Sequence, residues 1–283
     1  MNALPTDVVI AAGGLGTRVG DWSLFLPKEF RPVQGRPGLV HVLEEAAALG
    51  AQRAVVVHHR YYAPLINWTR QVLAPGAVAR YQELAGQTGG PRPPIEDLRV
   101  VFIPQYGRYA DITSALNGAQ HLRSEHISLA FADNIDPSHN ALSTLATAAT
   151  PGTPAVLASP FDVQAATSHG VIICAGTGPV RTMTELIEKP NPALAAQLAA
   201  HHGPDKLRLL QGRLHLTPEL LRHLATTLHR TSTEPKLSLA LAAYARRNRV
   251  DVVTSTSPMI DLGAPDYVET PAGNRETGPD TRR

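Results

Sequence analysis

Apolar residues along this chain fall into short unbroken runs, separated by stretches with helical spacing. Residues 8–12, 54–58, 100–104, 128–132 and 155–159 are brief runs bounded by Gly, Pro or polar residues. Runs of that length with those flanks predict buried strands. Between them, residues 39–49, 64–73, 112–122 and 141–149 carry apolar side chains at helical intervals, and Gly50 stops the first of these helices. Strand, helix and strand in that order predict parallel βαβ units. After residue 160 the pattern changes. Residues 170–174 and 182–187 predict strands around a Gly-rich turn, and 207–216 a longer extended run. Residues 192–201, 218–229 and 237–247 predict helices, and 250–254 a last strand. Residues 84–94, rich in Gly, Pro and Gln, read as a mobile surface loop. A short terminal helix is expected after Gly263. The polar, Gly/Pro-rich residues 271–283 read as a disordered tail. Residues 1–270 are expected to form one α/β domain.

Composition narrows the class. The chain has 283 residues and 43% hydrophobic content, enough for a full core. A net charge of +2 gives no case for nucleic acid or a membrane as partner. Cys174 is the single cysteine, so no intrachain disulfide and no cysteine-based metal site is expected. No apolar run reaches membrane-spanning length, and the N-terminus lacks an export signal. The expectation is a soluble, cytoplasmic protein.

The first strand runs into Gly13-Gly14-Leu15-Gly16-Thr17-Arg18, and Pro27-Lys28-Glu29 follows. Backbone without side chains lets N–H groups approach a polyphosphate, and Arg18 and Lys28 supply countercharge. A dinucleotide fingerprint does not fit. The third glycine comes one residue late, at Gly20, and the next strand ends in Val57-His58-His59-Arg60 with no acid for a ribose. A Walker loop does not fit either, because no Gly-Lys-Ser/Thr follows. The glycines alone would serve a tight turn equally well. That reading leaves the two cations unexplained.

The stretch Ala11-Ala12-Gly13-Gly14-Leu15-Gly16-Thr17-Arg18, an eight-residue gap, then Pro27-Lys28-Glu29-Phe30-Arg31-Pro32-Val33 resembles the sugar-1-phosphate nucleotidyltransferases. The bacterial UTP–glucose-1-phosphate uridylyltransferase group is the most similar. The resemblance runs in order from about residue 8 to about residue 270. It implies a Rossmann-like nucleotidyltransferase fold, with a mostly parallel doubly wound sheet and an insert covering the sugar. It also implies a reaction: nucleoside triphosphate plus sugar 1-phosphate gives a nucleoside-diphosphate sugar and pyrophosphate. Mg²⁺ is the implied cofactor and a homo-oligomer the implied assembly.

The resemblance also implies roles. Ala12, Gly13, Gly14, Gly16 and Thr17 would bind the nucleotide, with Arg18 on the β and γ phosphates and Lys28 at the α-phosphate. Asp133, at a strand end, and Asp261, before Leu262-Gly263, would hold Mg²⁺. Read without the resemblance, Asp133-Asn134 is equally a turn or a helix cap. Lys189 would bind the sugar phosphate, Glu188 the sugar, and Gly170 would let the sugar approach backbone. Taken alone, Glu188-Lys189-Pro190 is a solvated surface turn and Gly170 a plain strand-start glycine. Gln105 offers an amide donor and acceptor that match a uracil or thymine edge, or simply face water.

Three departures keep alternatives open. Asp111-Ile112-Thr113 stands where the resembled group has Gly-Leu-Gly. Asp111 reads first as a helix cap, with Thr113 and Ser114 nearby. It also has the chemistry to accept from guanine N1–H and N2–H₂, so GTP stays open beside UTP and dTTP. Leu24 replaces a lysine, and Gln211-Gly212-Arg213-Leu214 replaces a Gly-Arg-Tyr version. A catalytically silent sugar-nucleotide sensor is the remaining alternative. Among the 12 histidines, the pairs His58-His59 and His201-His202 lack i, i+4 spacing and cysteine partners, and read as ordinary side chains. No Gly-x-Ser-x-Gly elbow supports a serine hydrolase.

Overall fold

A computed structural model of the chain describes residues 7–74, 76–86, 94–124, 127–230 and 234–267. Strand β1 (Asp7–Ala12) is buried along its whole length and runs into the glycine loop. A turn at Thr17–Val19, helix α1 (Trp22–Phe25) and a turn at Lys28–Phe30 follow. Next come a small hairpin of β2 (Pro32–Val33) and β3 (Arg36–Pro37), then α2 (Gly38–Ala48). The chain continues through β4 (Arg53–His58), α3 (Ala63–Val72), α4 (Ala77–Leu84), β5 (Arg99–Pro104) and α5 (Asp111–Ala119). Then come β6 (Ile127–Phe131), the two-residue β7 (Asn134–Ile135), α6 (Ala141–Ala148), β8 (Ala155–Pro160) and β9 (Gly170–Ala175). The remaining elements are β10 (Val180–Glu188), α7 (Pro192–His202), β11 (Leu207–Leu216), α8 (Pro218–Arg230), α9 (Leu237–Ala245), β12 (Asp251–Thr254) and β13 (Ile260–Asp261).

Nine strands form one sheet in the order β5-β4-β1-β6-β11-β8-β12-β10-β9. β1 lies between β4 and β6 and is parallel to both, and β5 extends the parallel side. β11 crosses to β6, β8 and β9 antiparallel, and β10 is antiparallel to β9 and β12. The fold is the expected Rossmann-like α/β class, but the sheet is mixed rather than mostly parallel, with parallel pairing concentrated in the N-terminal half. The reason for the change is local. Gly176 and Gly178, both at positive φ, reverse the chain between β9 and β10, and so short a connection permits only antiparallel neighbours.

Alternate residues of β1 feed two cores. Val8 and Ile10 pack with Leu39, Val42 and Leu43 of α2. Val9 and Ala11 pack with Ile112 of α5, Leu220 of α8 and Leu241 of α9. Helices cover both faces, which is why β1 reads as a continuous apolar run rather than an alternating one. Arg213 of β11 reaches through the first layer. It donates through Nε and Nη2 to Glu45 at 2.8 and 2.6 Å, while the Leu142 amide donates to Glu45 Oε1 at 2.8 Å. Both side chains are fully buried, and the two-pronged geometry with its extra bond offsets their desolvation.

Two expectations need amendment. Residues 77–84 form α4, which the sequence reading left out. The expected loop over 84–94 lies largely at residues outside those described, as do the tail at 271–283 and any helix beyond residue 267. Among the described residues, no helix is long and apolar enough to cross a membrane.

Candidate active site

In open α/β sheets ligands bind beyond the carboxyl ends of the parallel strands. Here the glycine loop leaves β1 and Asp133 leaves β6 at that edge. Directly after Asp133, β7 pairs antiparallel with β13, so Asn134 lies opposite Asp261. The Leu262 amide donates to the Asp133 carbonyl at 2.7 Å. This ladder brings two acids distant in sequence to one point. A Cβ placed on Gly263 would stand 3.0 Å from Asp261 Oδ1, 3.2 Å from Arg18 Nη2 and 3.6 Å from Asp133 Oδ2. The ammonium of Lys28 donates to Asp133 Oδ2, and lies 3.2 Å from Glu29 Oε1. Lys28, Arg18, Asp133 and Asp261 therefore meet at one place.

Burial alone would lower the pKa of Lys28. The charges of Asp133 and Glu29, with their hydrogen bonds, outweigh it and hold the ammonium well above its ordinary value. Burial would raise Asp133, but Lys28, and to a lesser degree Arg18, keep it below the usual carboxylate range. Glu29 goes the other way. Its burial is only partly opposed by Lys28, and the nearby Asp133 adds repulsion, so its carboxyl is pushed up.

Gly13 is a case of close approach. A Cβ there would come within 2.0 Å of Gln105 Oε1. Gln105 is held under the loop by the Ser114 hydroxyl, which donates to Oε1 at 3.1 Å, and by its own Nε2, which donates to the Ala110 carbonyl at 3.0 Å. Gly14 passes beside the Lys28 side chain. The Leu15 amide donates to the Tyr109 hydroxyl at 3.3 Å, which closes the loop from the far side.

Two adjoining clefts flank Asp133. One, of about 250 Å³, is lined by Gly13, Gly14, Lys28 and Gln105 among others. The other, of about 210 Å³, is lined by Arg18, Gly170, Gln211 and Asp261 among others. Asp111, Phe131, Asp133, Glu188 and Lys189 line both. Lys189 holds a left-handed backbone at φ 43 immediately before Pro190, an arrangement that costs on the order of 1–3 kcal/mol and aims the residue at the junction of the clefts. Three of the expected nucleotide contacts stand apart. Ala12 is buried at the end of β1, Gly16 forms the turn before Thr17, and Thr17 is exposed; none of the three lines either cleft.

The capping role expected of Asp111 is corrected. Ala110 occupies the cap position of α5, and Asp111 is the first residue of that helix. Its Oδ1 accepts from the Ile112 amide at 2.7 Å and from the Leu237 amide at 2.8 Å, joining the starts of α5 and α9. Burial pushes its pKa up to about 6 despite those two bonds. Sequence reasoning missed Phe131, Tyr109 and Lys236. Lys236 Nζ lies 3.9 Å from Glu188 Oε1, on the residue before α9. A cation directly preceding an apolar helix was the available signal. Gln211 was noticed only as a departure. Its Nε2 donates to the Ser159 hydroxyl at 2.8 Å, and its Oε1 is buried without a hydrogen-bond partner among the described residues.

Residues 8–203, more than half of the chain, match the MobA-like NTP transferase domain. The chain belongs to that family. A stretch of 56 residues is 45% identical to CMP-5'-(3-aminopropyl)phosphonate synthase of Streptomyces rubellomurinus, covering 20% of this chain and 9% of that protein. The chain thus spans less than a tenth of that relative's length. A UDP-glucose pyrophosphorylase solved with UDP-glucose superposes with a TM-score of 0.73 at 20% identity, over 92% of this chain and 94% of the other. The inositol-1-phosphate CTP transferase of T. maritima superposes at 0.64 with 12% identity, over 94% and 92%. At those identities the likeness is one of fold. The resemblance read from the sequence holds as a nucleotidyltransferase one: this MobA-like NTP transferase domain shares its architecture with those two enzymes.

Proposed function

We propose that the protein is a cytoplasmic enzyme that transfers a nucleotidyl group from UTP or dTTP to a sugar 1-phosphate, releasing pyrophosphate. The observation that carries this reading is the meeting of Lys28, Arg18, Asp133 and Asp261 at the junction of two clefts. A triphosphate in the glycine-lined cleft and a sugar phosphate in the other would face each other there. An oxygen of the sugar phosphate attacks the α-phosphorus in line. A new P–O bond forms, the α–β bridging bond breaks, and its electron pair leaves with pyrophosphate.

The residues then divide the work by position. Lys28 places a permanent positive charge by the α-phosphate, and Arg18 holds the β and γ phosphates. Lys189 orients the attacking phosphate as a point charge. Gly170 leaves room for the sugar, and Glu188 accepts from its hydroxyls. The orphaned Gln211 Oε1 is a further acceptor for a sugar donor. Gln105 keeps one N–H and one lone pair for a pyrimidine edge after its two internal bonds. Asp111 Oδ1 is committed to two backbone amides, which favours a pyrimidine over a guanine that would pair with both carboxylate oxygens. The donor set also fits Mg²⁺, which takes one or two carboxylates and completes its shell with phosphate oxygens and water. Asp133 and Asp261 would hold it, and it would neutralise charge on the polyphosphate. Catalysis on this reading is positioning plus electrostatics, with no covalent enzyme intermediate.

A matrix of nucleoside triphosphates against sugar 1-phosphates, read by pyrophosphate release, tests the proposal. Turnover with UTP or dTTP and a sugar 1-phosphate is the expected result. Release from no pair at all would leave the silent sensor as the better reading, and a preference for GTP would return Asp111 to the base site.

A further inference from the structure

We propose that His41, Glu44 and His139 form a second metal site, separate from the catalytic clefts, for a divalent transition metal of the Zn²⁺ class. One donor atom from each of the three lies within 4.8 Å of the others. His41 Nδ1 is 3.0 Å from His139 Nε2, and Glu44 Oε2 is 3.5 Å from the same nitrogen. In a tetrahedral zinc shell with bonds of about 2.0–2.1 Å, neighbouring donors stand roughly 3.3 Å apart. The two measured separations lie on either side of that spacing. A turn of the Glu44 carboxylate closes the third edge. None of the three residues lines either cleft.

Each donor is aimed by a separate device. His41, fully buried on α2, has its Nε2 2.8 Å from the Val33 carbonyl of β2. A carbonyl only accepts, so Nε2 carries the proton and Nδ1 presents its lone pair to His139. Second-layer bonds of this kind fix the tautomer of ligating imidazoles. Glu44, one turn further along α2, is gripped by Arg36 Nη1 at 2.7 Å to each oxygen. On metal binding one oxygen turns to the ion and the other keeps the guanidinium. His139 takes a left-handed backbone at φ 58. The Asp136 carboxylate holds that turn, accepting from the Ser138 amide and hydroxyl and from the Asn140 and Ala141 amides. Without an ion, His139 Nε2–H donates to His41 Nδ1. Metal binding moves that proton across the ring to His139 Nδ1 and frees the Nε2 lone pair for the ion, and the partly exposed side of His139 leaves room for water as a fourth ligand.

Two imidazoles and a carboxylate select zinc-like ions over Mg²⁺, which prefers oxygen donors. The two metal requirements therefore do not compete. The site would staple α2 and the β2–β3 hairpin to the segment that follows β7. Its role is structural, since neither catalytic cleft includes it. It escaped the sequence reading because its histidines belong to neither adjacent pair.

The test is a Co²⁺ titration of the chelator-stripped full chain in excess Mg²⁺, which keeps the active-site carboxylates occupied. The expected result is one equivalent of Co²⁺ with the visible ligand-field bands of a tetrahedral site, displaced by Zn²⁺. His139→Asn removes the donor from a partly exposed turn, and Asn tolerates positive φ. This variant should melt with the metal-free wild type, lose the bands and bind Co²⁺ at least about tenfold more weakly. Glu44→Gln should weaken binding as well. Absence of bands from the wild type would overturn the proposal and leave a plain imidazole hydrogen bond. Bands undiminished in His139→Asn would overturn it too, by placing the ion elsewhere.

Discussion

The Leu262 amide donates to the Asp133 carbonyl at 2.7 Å, and this bond seats Asp261 beside the acid that follows β6. The two-residue ladder of β7 and β13 sets the register, with Asp261 opposite Asn134. A slip of one residue would turn Asp261 to the other side of that ladder. The geometry of the proposed site depends on this short pairing more than on any long element.

Asp261→Asn keeps the size of the side chain and an acceptor for the Gly263 amide, now bonded to Oδ1 at 2.7 Å. It removes a negative charge from the place where Mg²⁺ is proposed to bind. The Mg²⁺ concentration for half-maximal activity should rise by about 10–100-fold, while the melting temperature changes little. A Mg²⁺ titration of pyrophosphate release checks this; an unchanged midpoint would take Asp261 out of the metal shell.

Lys28→Ala removes the ammonium from between Asp133 and Glu29. Turnover should fall by about 10²–10³, the loss typical of removing one preorganised stabilising donor. Stability should fall as well, since the buried Glu29 and the half-buried Asp133 lose their counterion. Steady-state rates taken at a temperature where circular dichroism shows the native spectrum separate the two effects. Wild-type turnover in the folded variant would discard the assignment.

Asp111 gives a pH prediction. Its folded pKa of about 6 lies above the ordinary 3.8, so folding favours the protonated carboxyl. The stability it contributes is complete below about pH 4 and is lost as pH rises through about 6. Asp111→Asn stays neutral and keeps an acceptor for the Ile112 and Leu237 amides. The variant should therefore melt a few degrees higher than wild type at pH 7.5, on a scale of about 2–4 °C per kcal/mol, and match it near pH 4. Melting curves across that range decide the matter, and a lower melting temperature for the variant at pH 7.5 contradicts it.

Gly13→Ala puts a methyl 2.0 Å from Gln105 Oε1, so the amide must leave its place under the loop. The KM for the preferred triphosphate should rise by about tenfold or more, with discrimination between bases reduced. Gln105→Ala should reproduce the loss of discrimination with a smaller effect on KM. Unaltered selectivity in both variants would show that the base is read elsewhere.

Much of this was legible in the chain itself. Continuous apolar runs marked the strands because both faces of the sheet are covered, and the cations behind the glycine loop marked the sheet edge where the candidate site lies. Asp133 stood out as an acid ending a buried run. Other features were hidden for physical reasons. α4 is short and its described side chains are largely exposed, so no buried apolar stripe marks it in the sequence. The commitment of Asp111 to Leu237 is a tertiary bond that no local spacing announces. Arg213 stood out only as part of an altered motif, yet it is fully buried against Glu45, a partner that only the fold supplies. Contacts between distant segments carry the site, whereas periodicity reports on near neighbours.

The late position of β13 has a bearing on how the protein is made. During synthesis the glycine loop, Lys28 and Asp133 all leave the ribosome well before Asp261. A growing chain can pair its parallel strands while Asp261 is still untranslated. On the proposed reading a complete metal shell, and with it turnover, waits until β13 has emerged and paired with β7.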